Sequence, residues 1–227
     1  MRTTLAPQMI RAISRNQKKA TLEGRLFEMG SRFVPKSLPL TEYPEENMTL
    51  CVGVWGEKES FFTLKGIMES VADTLLLKFT YEPCTKTFLH PYRAAKVLCE
   101  GVEVGYLGQV TYEIQKDVDM RVPAYIAELD LEKISQWYGK VGRFEPLPKY
   151  PVEKRDLAFV MPENVTCGQV EEAIYGACKF VTDVQLFDVY EGKNLPEGKK
   201  SYAVNFILQD EQKTMGDKQI DAIMQKI

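Results

Sequence analysis

Histidine is almost absent from this chain: the 227 residues contain one, His90, in a His-Pro dipeptide that reads as loop. Without a second imidazole or a Cys/His cluster, histidine-ligated metal chemistry and Ser/His/Asp catalysis have little to be built from. The five cysteines, Cys51, Cys84, Cys99, Cys167 and Cys178, are odd in number, scattered and never spaced as CxxC. Neither a disulfide framework nor a zinc site follows, and they read as reduced packing residues. A basic excess is also lacking, since 29 Lys and Arg stand against 32 Asp and Glu for a net charge of -3. That argues against gripping nucleic acid by bulk charge but leaves room for a local site. No apolar run approaches the roughly 18 residues of a membrane helix. The opening Met1, Arg2, Thr3, Thr4 lacks the apolar core of a signal peptide. The expectation is a cytoplasmic chain with no membrane partner, no metal and no histidine-based catalysis.

An apolar fraction of 44% and a charged fraction of 27% are those of a folded globular chain, and the length suits one large domain or two ordinary ones. Thr3 or Thr4 can cap a first helix carrying Leu5, Met9, Ala12 and Ile13 at helical spacing. Its apolar stripe fits either an ordinary place in the domain or a partner surface. Residues 25–30 and 32–34 read as strand, and Pro35, Pro39 and Pro44 mark an irregular connection. Residues 50–55 form a nearly continuous apolar run and so a buried strand, while Leu64, Ile67, Met68, Val71 and Leu75 predict a helix over 61–76. Two more strands, 94–99 and 104–110, flank Glu100-Gly101, a hairpin signal. A strand over 124–129 and a short helix over 131–138 complete a half with a mixed sheet and no repeating βαβ pattern. The stretch 139–151, GKVGRFEPLPKYP, holds two glycines and three prolines, and a domain boundary is placed there, between 146 and 147.

The second half has one sharply patterned stretch, VQLFDVYEGKNLPEGKKSYAVNFIL, residues 184–208. It reads as two strands about a Gly, Asn, Pro, Gly loop. Before it come a strand over 156–161 and a helix opened by a Thr166/Gln169 capping box, with Val170, Ala173, Ile174 and Ala177 on one stripe. After it, Thr214 can cap a helix carrying Ile220, Ile223, Met224 and Ile227. The order βαββα is one strand short of the ferredoxin-like βαββαβ, and the sequence stops before that strand. Two helices must cover one sheet face, so Leu157, Phe159, Phe187, Val189, Tyr202, Val204, Phe206 and Leu208 are expected as core. Ala158, Asp188, Tyr190 and Ser201 are then left on the open face. On pattern alone Tyr190 fits either a strand aromatic covered by the loop 193–200 or a ring for stacking a base. Lys149, Lys154, Lys193, Lys199 and Lys200 fit either solvated positions or phosphate contacts.

The same residues carry a resemblance. KYPVEKRDLAFVM, LFDVYEG and LPEGKKSYAVNF resemble the ferredoxin-fold anticodon-binding domain of the bacterial phenylalanine–tRNA ligase beta-subunit family. MRTTLAPQMIRAISRN, RLFEMG, HPYRAA with GYLGQV, and AELDL are similar to that family's catalytic-like module. The resemblance implies an α+β chain: a class II synthetase-like domain with a mixed or antiparallel sheet over 1–146, then a ferredoxin-like βαββα(β) domain over 147–227. It implies the C-terminal part of a longer beta subunit in a heterotetramer of two alpha and two beta subunits, where alpha uses ATP and Mg2+ and this part needs no cofactor. Its partners would be phenylalanine tRNA, the alpha subunit and the remainder of beta, with no DNA. By motif, anticodon contacts fall on Ala158, Asp188, Tyr190 and Ser201 with Arg155 beside them, and the first helix, with Leu5, Met9 and Ile13, takes the family's alpha-subunit interface position; Lys149, Lys154, Lys199 and Lys200 are the cations around that face that could contact phosphate. Arg25-Leu26-Phe27-Glu28 matches the FRxE-type motif by which class II synthetases hold ATP. The accompanying GxGxR-type motif is absent, so independent adenylation is not expected, because a triphosphate needs more than one cation. The competing expectation, favoured by the acidic balance, is a ferredoxin-like regulatory or protein-interaction module with no RNA role.

Overall fold

The computed structural model describes residues 1–137, 139 and 147–227. The chain divides into two compact units, Met1–Arg143 and Phe144–Ile227. The boundary expected within 139–151 falls mostly outside the described residues, as does the last residue of the helix expected over 131–138. Among the described residues no helix is long and apolar enough to cross a membrane.

The first unit runs α1 (Ala6–Lys18), β1 (Gly24–Val34), β2 (Glu45–Trp55), α2 (Phe61–Thr74), β3 (Phe79–Pro83), β4 (Leu89–Cys99), β5 (Val102–Val110), α3 (Tyr112–Asp117), β6 (Ala124–Asp130) and α4 (Leu131–Ser135). Its six strands make one sheet in the order β1-β2-β6-β5-β4-β3, and each pairing is antiparallel rather than mixed. Period-two alternation divides the strands between two cores. Val52, Val54, Leu107, Ala127 and Leu129 meet α2 through Leu64 and Met68. Cys51, Tyr106, Ala124 and Ile126 meet α1 on the other face. The hairpin at Glu100-Gly101 is a two-residue turn with both residues at positive φ, as its tight reversal requires.

Of the two places open to the first helix, it takes the ordinary one inside its domain. Leu5, Met9 and Ile13, the residues expected at a subunit interface, are buried inside this unit. A Cβ on Gly53 of β2 would stand 2.7 Å from Met9 Sδ and 2.9 Å from Ile13 Cδ1. The bare glycine lets the helix lie directly on the sheet, and the apolar stripe is spent there. The N-terminus of α1 is held by Glu128 of β6, a buried carboxylate that accepts from Thr4 Oγ1 (2.7 Å to Oε2), Ala6 N (3.1 Å), Leu5 N and Tyr106 Oη. Thr4 Oγ1 also accepts from Ala6 N at 3.2 Å. An anion on the orphan N–H groups of a helix is favourable, and these donors meet the carboxylate's need for partners. Burial, reinforced by this carboxylate, pushes the Tyr106 phenol pKa well up.

The second unit is β7 (Glu153–Pro162), α5 (Cys167–Ala177), β8 (Val181–Tyr190), β9 (Lys199–Leu208) and α6 (Asp217–Met224), with an antiparallel sheet ordered β7-β9-β8. Its core joins Ile174 and Cys178 to Ile220 and Ile223 over Val204, Phe206 and Leu208. The Thr166/Gln169 capping box is present, whereas α6 starts from Gly216 with no side-chain cap rather than from Thr214. Phe187 and Val189 are not core. Leu186 faces Val204 and Asp188 faces Ala203, so Phe187 is an extra residue in a bulge. It lies 59% exposed, and the core side of β8 is supplied by Val181, Val184 and Leu186.

Candidate nucleic-acid interface

The register of the small sheet stacks the open-face side chains in rungs across β7, β9 and β8. Val160, Ser201 and Tyr190 form one rung, Ala158, Ala203 and Asp188 the next, and Asp156, Asn205 and Gln185 a third. The third rung is tied internally, because Asn205 Nδ2 donates to Asp156 Oδ1 at 2.6 Å and Gln185 Nε2 donates to Asp183 Oδ2 at 2.8 Å. In the first two rungs the Asp188 carboxylate and Ser201 hydroxyl have no side-chain partner among the described residues. Tyr190 is 43% exposed. A Cβ on Gly192 would meet its hydroxyl at 2.5 Å and Cζ at 2.7 Å, so the phenol rests against the bare backbone of that glycine. The surface therefore offers a ring, a hydroxyl, an unpaired carboxylate and small side chains that let a planar group approach.

The structure thus brings Ala158, Asp188, Tyr190 and Ser201 together on two adjacent rungs. It adds Val160, which shares the parity of Ala158 along β7, and Gly192, which lies beneath the Tyr190 ring. It removes two others. Arg155 pairs with Phe206 and so shares the core-side parity of Leu157, where its guanidinium bonds Glu153 at 3.0 Å. Lys200 has the parity of Tyr202, is buried, and places its ammonium 4.8 Å from that ring's centre. The cations that remain on the open face are Lys154, opposite Ile207, and Lys199, opposite Pro162. Lys149 is exposed ahead of β7.

In the first unit the Arg25–Glu28 run departs from FRxE, because Gly24 precedes the arginine and the glutamate stands three residues on rather than two, so Arg25 and Glu28 point to opposite faces of β1. Arg25 Nη2 is bound to Glu59 at 3.0 Å, and Glu28 to Arg2 at 2.7 Å. A triphosphate would have to displace Glu59 from Arg25, and no second arginine belonging to a glycine-rich motif stands ready, so these residues do not fit ATP. Beside Arg25 an apolar groove of about 440 Å3 runs between the edge strand β1 and α2, lined by Phe27, Met29, Leu50, Val52, Ile67 and Val71. Phe27 is 74% exposed there.

Two family descriptions cover these two units. Residues 1–131 match the family described as phenylalanyl tRNA synthetase beta chain CLM domain, and residues 148–227 match the ferredoxin-fold anticodon binding domain. The chain belongs to the phenylalanyl-tRNA synthetase beta-chain family. Over its whole length it is 34% identical to the phenylalanine–tRNA ligase beta subunits of Halalkalibacterium halodurans and Geobacillus kaustophilus, covering 30% of each. It is likewise 34% identical to that of Clostridium tetani, covering 29%. The chain thus spans about three tenths of the length of these beta-chain relatives. The rungs of the open face lie inside the part that matches the anticodon-binding family.

Proposed function

We propose that this chain is the non-catalytic end of a phenylalanine–tRNA ligase beta subunit, with residues 147–227 reading the tRNA anticodon and residues 1–146 supporting the alpha subunit. The observation that carries the reading is the pair of unfilled rungs. Tyr190 stacks on an anticodon base, Asp188 accepts a hydrogen bond from a base edge, and Ser201 contacts base or backbone over the small floor of Ala158 and Ala203. Lys154 and Lys199 neutralise phosphates at the two ends of the face, with Lys149 and Lys193 near them in sequence. Arg155 and Lys200 have no part in it. ATP and Mg2+ serve the alpha subunit in a cytoplasmic assembly of two alpha and two beta chains. The alpha contact shifts from α1, whose apolar stripe is buried, to the exposed groove of Phe27 and Met29 along the β1 edge.

The test is binding of phenylalanine tRNA and of a tRNA with an unrelated anticodon, to wild type and to Asp188→Ala, over a range of salt. Asp188→Ala is expected to weaken phenylalanine tRNA selectively. With two open-face lysines, log affinity should fall against log salt with a slope of roughly -1 to -2, at about 0.7 per single-strand phosphate contact. Equal loss for both tRNAs would remove base readout. Salt-independent association would favour the protein-interaction module instead.

A further inference from the structure

The pairing of β4 with β5 shifts register twice, and the larger break lies between Leu89 and Ala94. Leu89 faces Val110 and Ala94 faces Gly108, so residues 90–93, His-Pro-Tyr-Arg, stand opposite Gln109 alone. Three surplus residues must bulge out of the sheet, and Pro91, with its fixed φ and no N–H to offer the ladder, keeps them out. The bulge is organised from within. Tyr92 N donates to His90 Nδ1 at 3.2 Å, which makes Nδ1 the acceptor and leaves the proton of the neutral imidazole on Nε2. The His90 and Tyr92 rings stand edge to face with centroids 6.2 Å apart. Arg93 Nη1 is held by Gln109 Oε1 at 2.9 Å and makes no ion pair among the described residues. Tyr92 is 91% exposed, so its ring contributes nothing to the core.

We infer that this bulge is a second RNA contact, which takes one unpaired nucleotide lying outside the anticodon. The base stacks on Tyr92, the phosphate sits against Arg93, and the His90 Nε2–H donates to base or sugar. An aromatic face beside an uncompensated guanidinium is what sequence-tolerant stacking of single-stranded RNA uses. A protein contact of comparable strength calls for an apolar surround that excludes water. Residues 90–93 contain no aliphatic side chain apart from the proline ring and no carboxylate. The inference shares with the anticodon reading only its ligand, tRNA, and uses none of the same residues.

The experiment uses the whole chain with two probes, phenylalanine tRNA and the same RNA lacking its anticodon arm. Tyr92→Ala and Arg93→Gln are expected to lower affinity for the shortened RNA by roughly 5- to 100-fold. Tyr92→Phe should restore it, and Tyr190→Ala should leave it unchanged. If whole tRNA binds but the shortened RNA does not, or binds equally to wild type and Tyr92→Ala, the bulge is not an RNA contact and the anticodon reading stands. If Tyr190→Ala is silent on both probes while Tyr92→Ala is not, the anticodon reading fails and the bulge remains. Binding of neither RNA overturns both, and an effect of Tyr92→Ala on association with a partner subunit alone reassigns the ring to protein.

Discussion

Gly192→Ala separates the placing of the Tyr190 ring from its chemistry. The new Cβ would lie 2.5 Å from Oη, 2.7 Å from Cζ and 3.2 Å from Cε2. Ordinary contact begins near 3.5 Å, so the ring edge must swing by roughly 1 Å. Gly192 is not at positive φ, so alanine adds no backbone strain. Fewer unfolded conformations would raise stability by about 0.4 to 1 kcal/mol. The phenol retains its identity and loses its position. A base-aromatic stack contributes about 1 to 3 kcal/mol, so affinity for phenylalanine tRNA should fall roughly 5- to 150-fold while the thermal midpoint holds or rises. The assay is fluorescence anisotropy with labelled tRNA on Gly192→Ala, Tyr190→Ala and the double variant. In the Tyr190→Ala background the second change should cost little, because the ring it displaces is gone. A further loss of the same size in that background would refute the positional argument.

Two other outcomes follow from features outside the open face. Glu128→Ala leaves Leu5 N and Tyr106 Oη without their buried acceptor and Ala6 N with Thr4 Oγ1 alone, and at about 1 to 3 kcal/mol per orphaned donor it should cost about 3 to 5 kcal/mol. Both tryptophans, Trp55 and Trp137, belong to the first unit. A urea titration followed by tryptophan fluorescence reads that loss as a lower midpoint, and an unchanged midpoint contradicts it. Phe27→Ser exchanges an exposed ring in the β1 groove for a hydroxyl, so it should weaken co-purification of the alpha subunit while the tryptophan-monitored midpoint stays in place. Retained co-purification would move the alpha contact elsewhere.

Several of these features were legible in the sequence because the strand period is two. Tyr202, Val204, Phe206 and Leu208 alternate cleanly, and the structure buries all four. The same period, followed strictly, would have placed Arg155 with Leu157 and Lys200 with Tyr202. Both stand next to the open-face residues along the chain, and closeness in sequence is a weaker guide to a strand's face than parity. The β8 bulge was illegible, since Leu186, Phe187 and Val189 are all apolar and an extra residue leaves no compositional trace. The partners of α1 were illegible for another reason. Its stripe declares that something must cover it, and only the bare Cα of Gly53 says what. Glu128 did leave a signal, because a carboxylate inside the buried strand AYIAELD requires a partner. That partner, the start of α1, is remote in sequence. β3 pairs only with β4 at the sheet edge and carries little alternation, and α3 is a single short turn-rich helix.

The Glu128 tie also bears on the order in which the first unit can be completed. The contact from Thr4 to Glu128 spans 124 residues. Closing a loop of that length costs on the order of 4 kcal/mol in chain entropy before any contact repays it. During synthesis from the N-terminus, α1 emerges before the strands of its unit and carries its apolar stripe with neither floor nor cap. Gly53 has to appear before the stripe can be covered, and β6, the strand that enters the middle of the sheet between β2 and β5, before the helix start is held. Within this unit the helix that precedes every strand is the one secured last, and until then its stripe remains a sticky surface that must be kept from the wrong partner.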